Sequence, residues 1–254
     1  MARRHKGFYD TIEYIGPRPS VQKKSGQGPF GGWVIVVIAI SVAAWFVMPM
    51  ASSFARASDR PTVEHAASLI GQLRASASPG RKLAAAALEY SGRKVSYDPS
   101  YYAIGMPQGD VPAGKGMAED LIVRTFRKTG VDLQQLVNDD MRESFRVYPQ
   151  LWEASGPDAN IDHRRTANLR RFFERKGESI EPTTNPSNFE LGDVVVWSLP
   201  PNAEQHIGIV VPGPGMHSGE PWVVHHLADG LKWENALFDY KIEAQLRYPA
   251  VKEP

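Results

Sequence analysis

The sequence predicts an α+β domain, with helices gathered in its first part and short antiparallel strands in its second. Three observations predict it. Within residues 116–130, Met117 with Leu121 and Ile122 with Phe126 fall four apart, the spacing of one buried helix face. Residues 193–197, 206–211 and 222–226 are short β-rich runs set between Gly/Pro-rich turns. Helices precede the strands instead of alternating with them, which argues against a parallel α/β sheet.

The helix within 116–130 places Arg127 and Lys128 in its last turn, where the helix dipole favours positive charge, and Gly130 supplies the stop. Before it, residues 82–90 form an alanine-rich helix ending at Gly92, with Ser78-Pro79-Gly80 expected to break the chain upstream. Residues 95–99 read as a short strand and turn. Residues 132–141 make a further helix, with 144–148 as its continuation. Residues 157–165 form a polar loop. Residues 166–176 make a third helix of the domain, with Leu169, Phe172 and Phe173 inward and Gly177 as cap. Residues 231–233 and 245–248 are candidates to complete the sheet.

Upstream the character changes. No charged residue occurs between Ser25 and Ala55. The apolar centre and its short flanks make about 20 residues, enough to span a bilayer at ~1.5 Å per residue. Trp33 and Trp45 suit the two interfaces. The expected organisation is a basic arm over 1–30, a transmembrane helix over 31–52, a linker over 53–80 carrying one short helix near 63–73, and the α+β domain over 81–254. Before the span, Arg3, Arg4, Lys6, Arg18, Lys23 and Lys24 outnumber Asp10 and Glu13, so the arm carries +4. With a total of +1, the remainder carries −3. The arm is expected in the cytoplasm and the domain on the periplasmic or extracellular side. A cleaved signal ending near Ala55-Arg56-Ala57 is the alternative. The mildly acidic domain argues against a nucleic-acid partner.

The chain contains no cysteine. Disulfides, thiolate metal sites and thiol catalysis are excluded for this sequence. That absence matters at the start of the helix in 116–130. A small residue at a tight turn opening a helix is where cysteine hydrolases hold a nucleophile, since backbone N–H groups there lower a thiol's pKa and bind an oxyanion. Here that residue is Ala118.

The order of features resembles the NlpC-type cysteine peptidases of the papain clan. A helix begins at Ala118. A strand begins Leu191-Gly192-Asp193-Val194-Val195-Val196-Trp197. The next opens with His206-Ile207-Gly208-Ile209-Val210, and another ends in His225-His226. A bacterial family related to that clan, known as a domain of unknown function, is more similar still. Its features are Tyr97-Asp98-Pro99, Gly109-Asp110-Val111-Pro112, Asp120 with Arg124 and Arg127, Asn160-Ile161-Asp162-His163-Arg164-Arg165, and Arg247-Tyr248, over roughly residues 85–249.

The resemblance implies an NlpC/papain-like fold, helices packed on a small antiparallel sheet, and a cell-envelope enzyme cleaving amide bonds in peptidoglycan. Its catalytic positions would be Ala118 for the nucleophile, His206 for the base and His225 to orient that base. No cofactor is implied. A methyl group cannot attack a carbonyl, and Glu119 stands where a small polar residue is expected. Two explanations stand open: a pseudoenzyme serving as a binding module or accessory subunit of a membrane complex, or an active hydrolase in a substituted form. The expected partners are the membrane, other integral membrane subunits and peptidoglycan.

Other readings weigh less. His206, His225 and Asp193 offer metal-ligand chemistry, but no His-x-x-x-His pair supports a metal site. Asp98, Asp110 and Asp120 lie in turns and loops that suit backbone capping better than glycoside cleavage. His163 is expected to tie its loop to the domain. Trp152, Trp197, Trp222 and Trp233 read as core or cleft wall. His225 and His226 must point to opposite faces of their strand, and His225 is the one assigned to His206.

Overall fold

The computed structural model describes residues 36–42 and 63–248. Residues 36–42 are helical. The arm over 1–30, most of the predicted span 31–52 and the candidate cleavage site at 55–57 lie outside the described residues. No described helix is long and apolar enough to cross a membrane. Two compact units are distinguished, Met1–Ser58 and Asp59–Pro254; the second holds the elements that follow.

Its helices are α1 (Val63–Arg74), α2 (Pro79–Ser91), α3 (Ala118–Lys128), α4 (Leu133–Ser144) and α5 (Thr166–Lys176). Its strands are β1 (Ser96–Tyr97), β2 (Lys115–Gly116), β3 (Glu178–Ile180), β4 (Val194–Leu199), β5 (Glu204–Pro212), β6 (Pro221–Leu227), β7 (Gly230–Glu234) and β8 (Lys241–Arg247). β1 and β2 pair in parallel. The other six form one antiparallel sheet in the order β3-β8-β4-β5-β6-β7. The architecture is therefore α+β, with the strands late in the chain.

Alternation along the strands sorts the sheet into two faces. Val194, Val196, Ile207, Ile209, Val224 and Leu246 join the helical residues Ala118, Leu121, Ile122, Phe126 and Phe173 in one cluster. Val195, Trp197, Val210 and Val223 form a second cluster with Ala236 and Leu237. Apolar residues on both faces explain why these strands read as continuous hydrophobic runs.

Two boundaries call for comment. Ser78-Pro79 follows the expected break after α1 and also begins α2, three residues before the expected start at 82: the Ser78 hydroxyl accepts from Arg81 N–H at 3.4 Å, and Pro79 takes the first-turn position, where its missing N–H costs nothing. The helix expected within the linker is α1, and its Leu73 is buried in the helix-side cluster. α1 therefore packs on the helix-side cluster, with Leu69 and Ile70 beside Leu73, because an amphipathic helix with an apolar neighbour buries its stripe against it.

One strand, β3, has no apolar alternation and is held by its register with β8, Glu178 opposite Arg247 and Ile180 opposite Gln245. At the base of β4, Gly192 (φ +93°) packs against Gly80; a Cβ at Gly192 would lie 2.5 Å from the Gly80 carbonyl oxygen. Beside it Asp193 is buried and fully engaged. It accepts from Arg247 Nε at 2.8 Å, Gln245 Nε2 at 2.7 Å and the Glu190 N–H at 2.9 Å. An aspartate so committed to a guanidinium is not a ligand in waiting.

Candidate active site

Strand β5 brings His206 opposite Trp197 of β4, and β6 brings His225 opposite Gly208. Both histidines emerge on the Trp197 side, while Ile207 and Ile209 turn toward the helices. The Trp197 ring stacks on His206 with centroids 5.8 Å apart, and its Nε1 donates to the Leu237 carbonyl at 2.9 Å. Gly208 makes room for that indole: a Cβ there would come within 2.9 Å of the ring. The sequence of β5 thus positions its histidine partly through a residue with no side chain.

His206 Nε2 lies 2.9 Å from His225 Nδ1, and His225 Nε2 lies 3.0 Å from Glu234 Oε1 on β7. A carboxylate only accepts, so His225 carries its proton on Nε2. Its Nδ1 then accepts, and His206 donates from Nε2. The remaining nitrogen, His206 Nδ1, holds the lone pair. Burial pulls the His206 pKa down to about 3, with the neighbouring His225 and His226 adding to the effect. The ring is therefore neutral near pH 7.

His226 takes the other face. Its ring meets Tyr97 edge-on at 5.8 Å and points at the Met117 and Val95 backbones, with no well-formed hydrogen bond at either nitrogen. Burial lowers its pKa.

Ala118 opens α3 and is buried in the helix-side cluster. The turn before it is locked by Asp120, which accepts the Met117 N–H at 2.8 Å. Arg164, itself buried, grips Asp120 at 2.8 and 3.1 Å and donates to the Ser100 carbonyl at 2.8 Å. Glu119 accepts from the Thr166 N–H at 3.1 Å and from its hydroxyl. Burial pushes the Glu119 pKa up to about 7. Two carboxyl groups thus already occupy the positive end of this helix.

Of the three catalytic positions expected, the structure joins His206 to His225. Ala118 opens α3 within the helix-side cluster, whereas His206 and His225 emerge on the Trp197 side of the sheet, so the structure does not bring Ala118 to that pair; the histidine beside the Met117 turn is His226. Sequence reasoning missed Glu234, although an acidic residue closing the predicted strand 231–233 was a usable signal. It also gave His163 a role that Arg164 performs. His163 is buried with Nδ1 unbonded, and burial lowers its pKa to about 4, so near neutral pH it is uncharged and ties the loop through no ion pair. The carboxylates behave as capping groups: Asp98 accepts from Ser100 N–H and Asp110 from Val111 N–H, each at 2.9 Å. Trp152 is partly exposed, with the Arg165 guanidinium 4.0 Å from its ring centroid. No group of histidines and carboxylates among the described residues is arranged to hold a metal ion.

Residues 84–248 match the family model described as a domain of unknown function, DUF1287. This chain belongs to the DUF1287 family. The DUF1287 domain is also 39% identical, over 166 residues, to the Escherichia coli (strain K12) protein called uncharacterized protein YijF; the match spans 65% of this chain and 80% of that protein. Among solved structures, NlpC1 from Trichomonas vaginalis is similar at 12% identity with a TM-score of 0.39, over 68% of this chain and 45% of that one. At that level the likeness does not bear on function. The family match begins and ends close to the extent read from the motifs and takes in Ala118, His206, His225 and Glu234 within one DUF1287 domain.

Proposed function

We propose that this protein is a cell-envelope binding module built on the scaffold of a cysteine amidase that lacks its nucleophile. The observation that carries the reading is the complete chain Glu234–His225–His206, poised with a free lone pair on His206 Nδ1, in a protein with alanine at the expected nucleophile position. The pairing of residue 118 with His206 comes from the motif order of the NlpC-type peptidases alone, since Ala118 packs in the helix-side cluster and His206 emerges on the Trp197 side of the sheet. In that scheme His206 Nδ1 would take the proton of a thiol, and the thiolate would attack an amide carbonyl. Ala118 offers neither proton nor electron pair, so a peptide in the cleft would be held and not cut. The uncharged stretch 25–55 behind a basic arm supports a single-span anchor with the domain outside the cytoplasm. Peptidoglycan peptides are the ligand in this reading, and other membrane subunits are its partners.

The test uses the full chain in detergent with purified peptidoglycan. Co-sedimentation without release of soluble fragments is expected. Fragment release by the Ala118 protein, or no association at all, overturns the reading.

The intact histidine chain also favours the second reading, an amide hydrolase in a substituted form. Ala118→Cys then restores cleavage. A folded Ala118→Cys protein whose thiol alkylates no faster than free cysteine and which releases nothing removes that reading.

A further inference from the structure

Away from the histidines, a cavity of about 330 Å³ lies between the end of α2, the loop before β2 and the outer side of α3. Arg93, Lys94, Arg124, Arg127 and Lys128 line it, against two carboxylates, Glu89 and Asp110. Both carboxylates are already matched. Glu89 pairs with Arg74, which is outside the lining. Asp110 is held by Arg124 at 2.7 Å.

The remaining cations are not. Among the described residues Lys94 and Lys128 have no carboxylate partner, and Arg93 has only the Tyr90 ring, 5.7 Å away. Arg127 is left unsaturated too. It stands 3.7 Å from both Asp110 and Asp132, donates to the Gly109 carbonyl at 3.0 Å, and keeps a buried Nε with no acceptor. Tyr90, Val95 and Ala113 give the cavity an apolar wall.

We propose that this cavity binds a phosphate monoester carried on a small apolar body. Five cations against two carboxylates leave a surplus of three positive charges, which a single carboxylate would not match. A phosphate monoester carries about −1.5 to −2 at neutral pH. Lysine ammonium groups act as point charges for it, and arginine donates in a fork. Tyr90 supplies a face for the body of the ligand, and the volume is that of a small-molecule site. The assignment is independent of the amidase reading.

The experiment titrates the full-length protein with phenyl phosphate by calorimetry, with benzoate and phenol as controls. Saturable binding of phenyl phosphate is expected, weakening as salt rises. It should fall about tenfold or more in the Lys94→Gln/Lys128→Gln double variant, since charge-assisted contacts are lost. Both lysines are exposed, so the fold should persist. Should the double variant not melt cooperatively, Arg93→Gln provides the same readout. No saturable binding to the wild type at millimolar ligand overturns the proposal. So does unchanged binding in a folded variant, or benzoate binding as tightly as phenyl phosphate.

Discussion

His206 Nε2 and His225 Nδ1 share one hydrogen bond of 2.9 Å, so the tautomer of the second ring dictates that of the first. Glu234 sets both from the far end. Nitrogen NMR of labelled protein should show protonated Nε2 on both rings and a bare Nδ1 on His206. The His206 pKa is depressed from about 6.5 to about 3 by burial, so its neutral form should persist as pH falls below 6. The sign of the linkage follows: this group's contribution to stability is present above pH 6.5 and is lost as pH falls toward 3. A His206 that titrates near pH 6.5 in the folded protein would contradict the assigned arrangement.

Glu119 should make stability depend on pH in the opposite direction. Its folded-state pKa is raised from 4.5 to about 7, chiefly by burial. Its contribution is therefore full below pH 4.5 and is lost as pH rises through 7. The loss amounts to roughly 2–3 kcal/mol between those limits. Urea unfolding at several pH values should show it, and Glu119→Gln should flatten that part of the profile. An unchanged profile in Glu119→Gln would mean that another group titrates.

Arg164→Ala should destabilise the domain by about 3–5 kcal/mol, because it leaves the buried Asp120 carboxylate without its partner. Arg164→Lys should recover only part of this, since an ammonium cannot make the two parallel contacts. The midpoint of urea unfolding measures both. Loss of the Asp120 lock should also loosen the turn at Met117, visible as faster amide hydrogen exchange there.

Much of this was legible in the chain itself. The spacing of Met117, Leu121, Ile122 and Phe126 fixes α3, and Asp132 ahead of Leu133 marks a capped start: its side chain accepts from Gln134 N–H at 3.2 Å. The strand runs were visible because β-branched residues cluster between Gly/Pro turns. These signals are local, and local spacing is what a sequence records. β3 was not legible, because Glu178, Ser179 and Ile180 have no pattern of their own and become a strand only by pairing with β8. Arg164 was not legible as the lock, since its partners Asp120 and Ser100 are distant along the chain.

The sequence by itself determined that this protein has no thiol, that Ala118 opens a helix, and that His206 and His225 lie on strands. Alternation also required His225 and His226 to part company. Only the tertiary structure decided which of them meets His206 and which acidic residue completes the row. The register of β5, β6 and β7 makes those choices. A register is fixed by how two faces of a sheet are buried at once, and no single strand's residues contain that information.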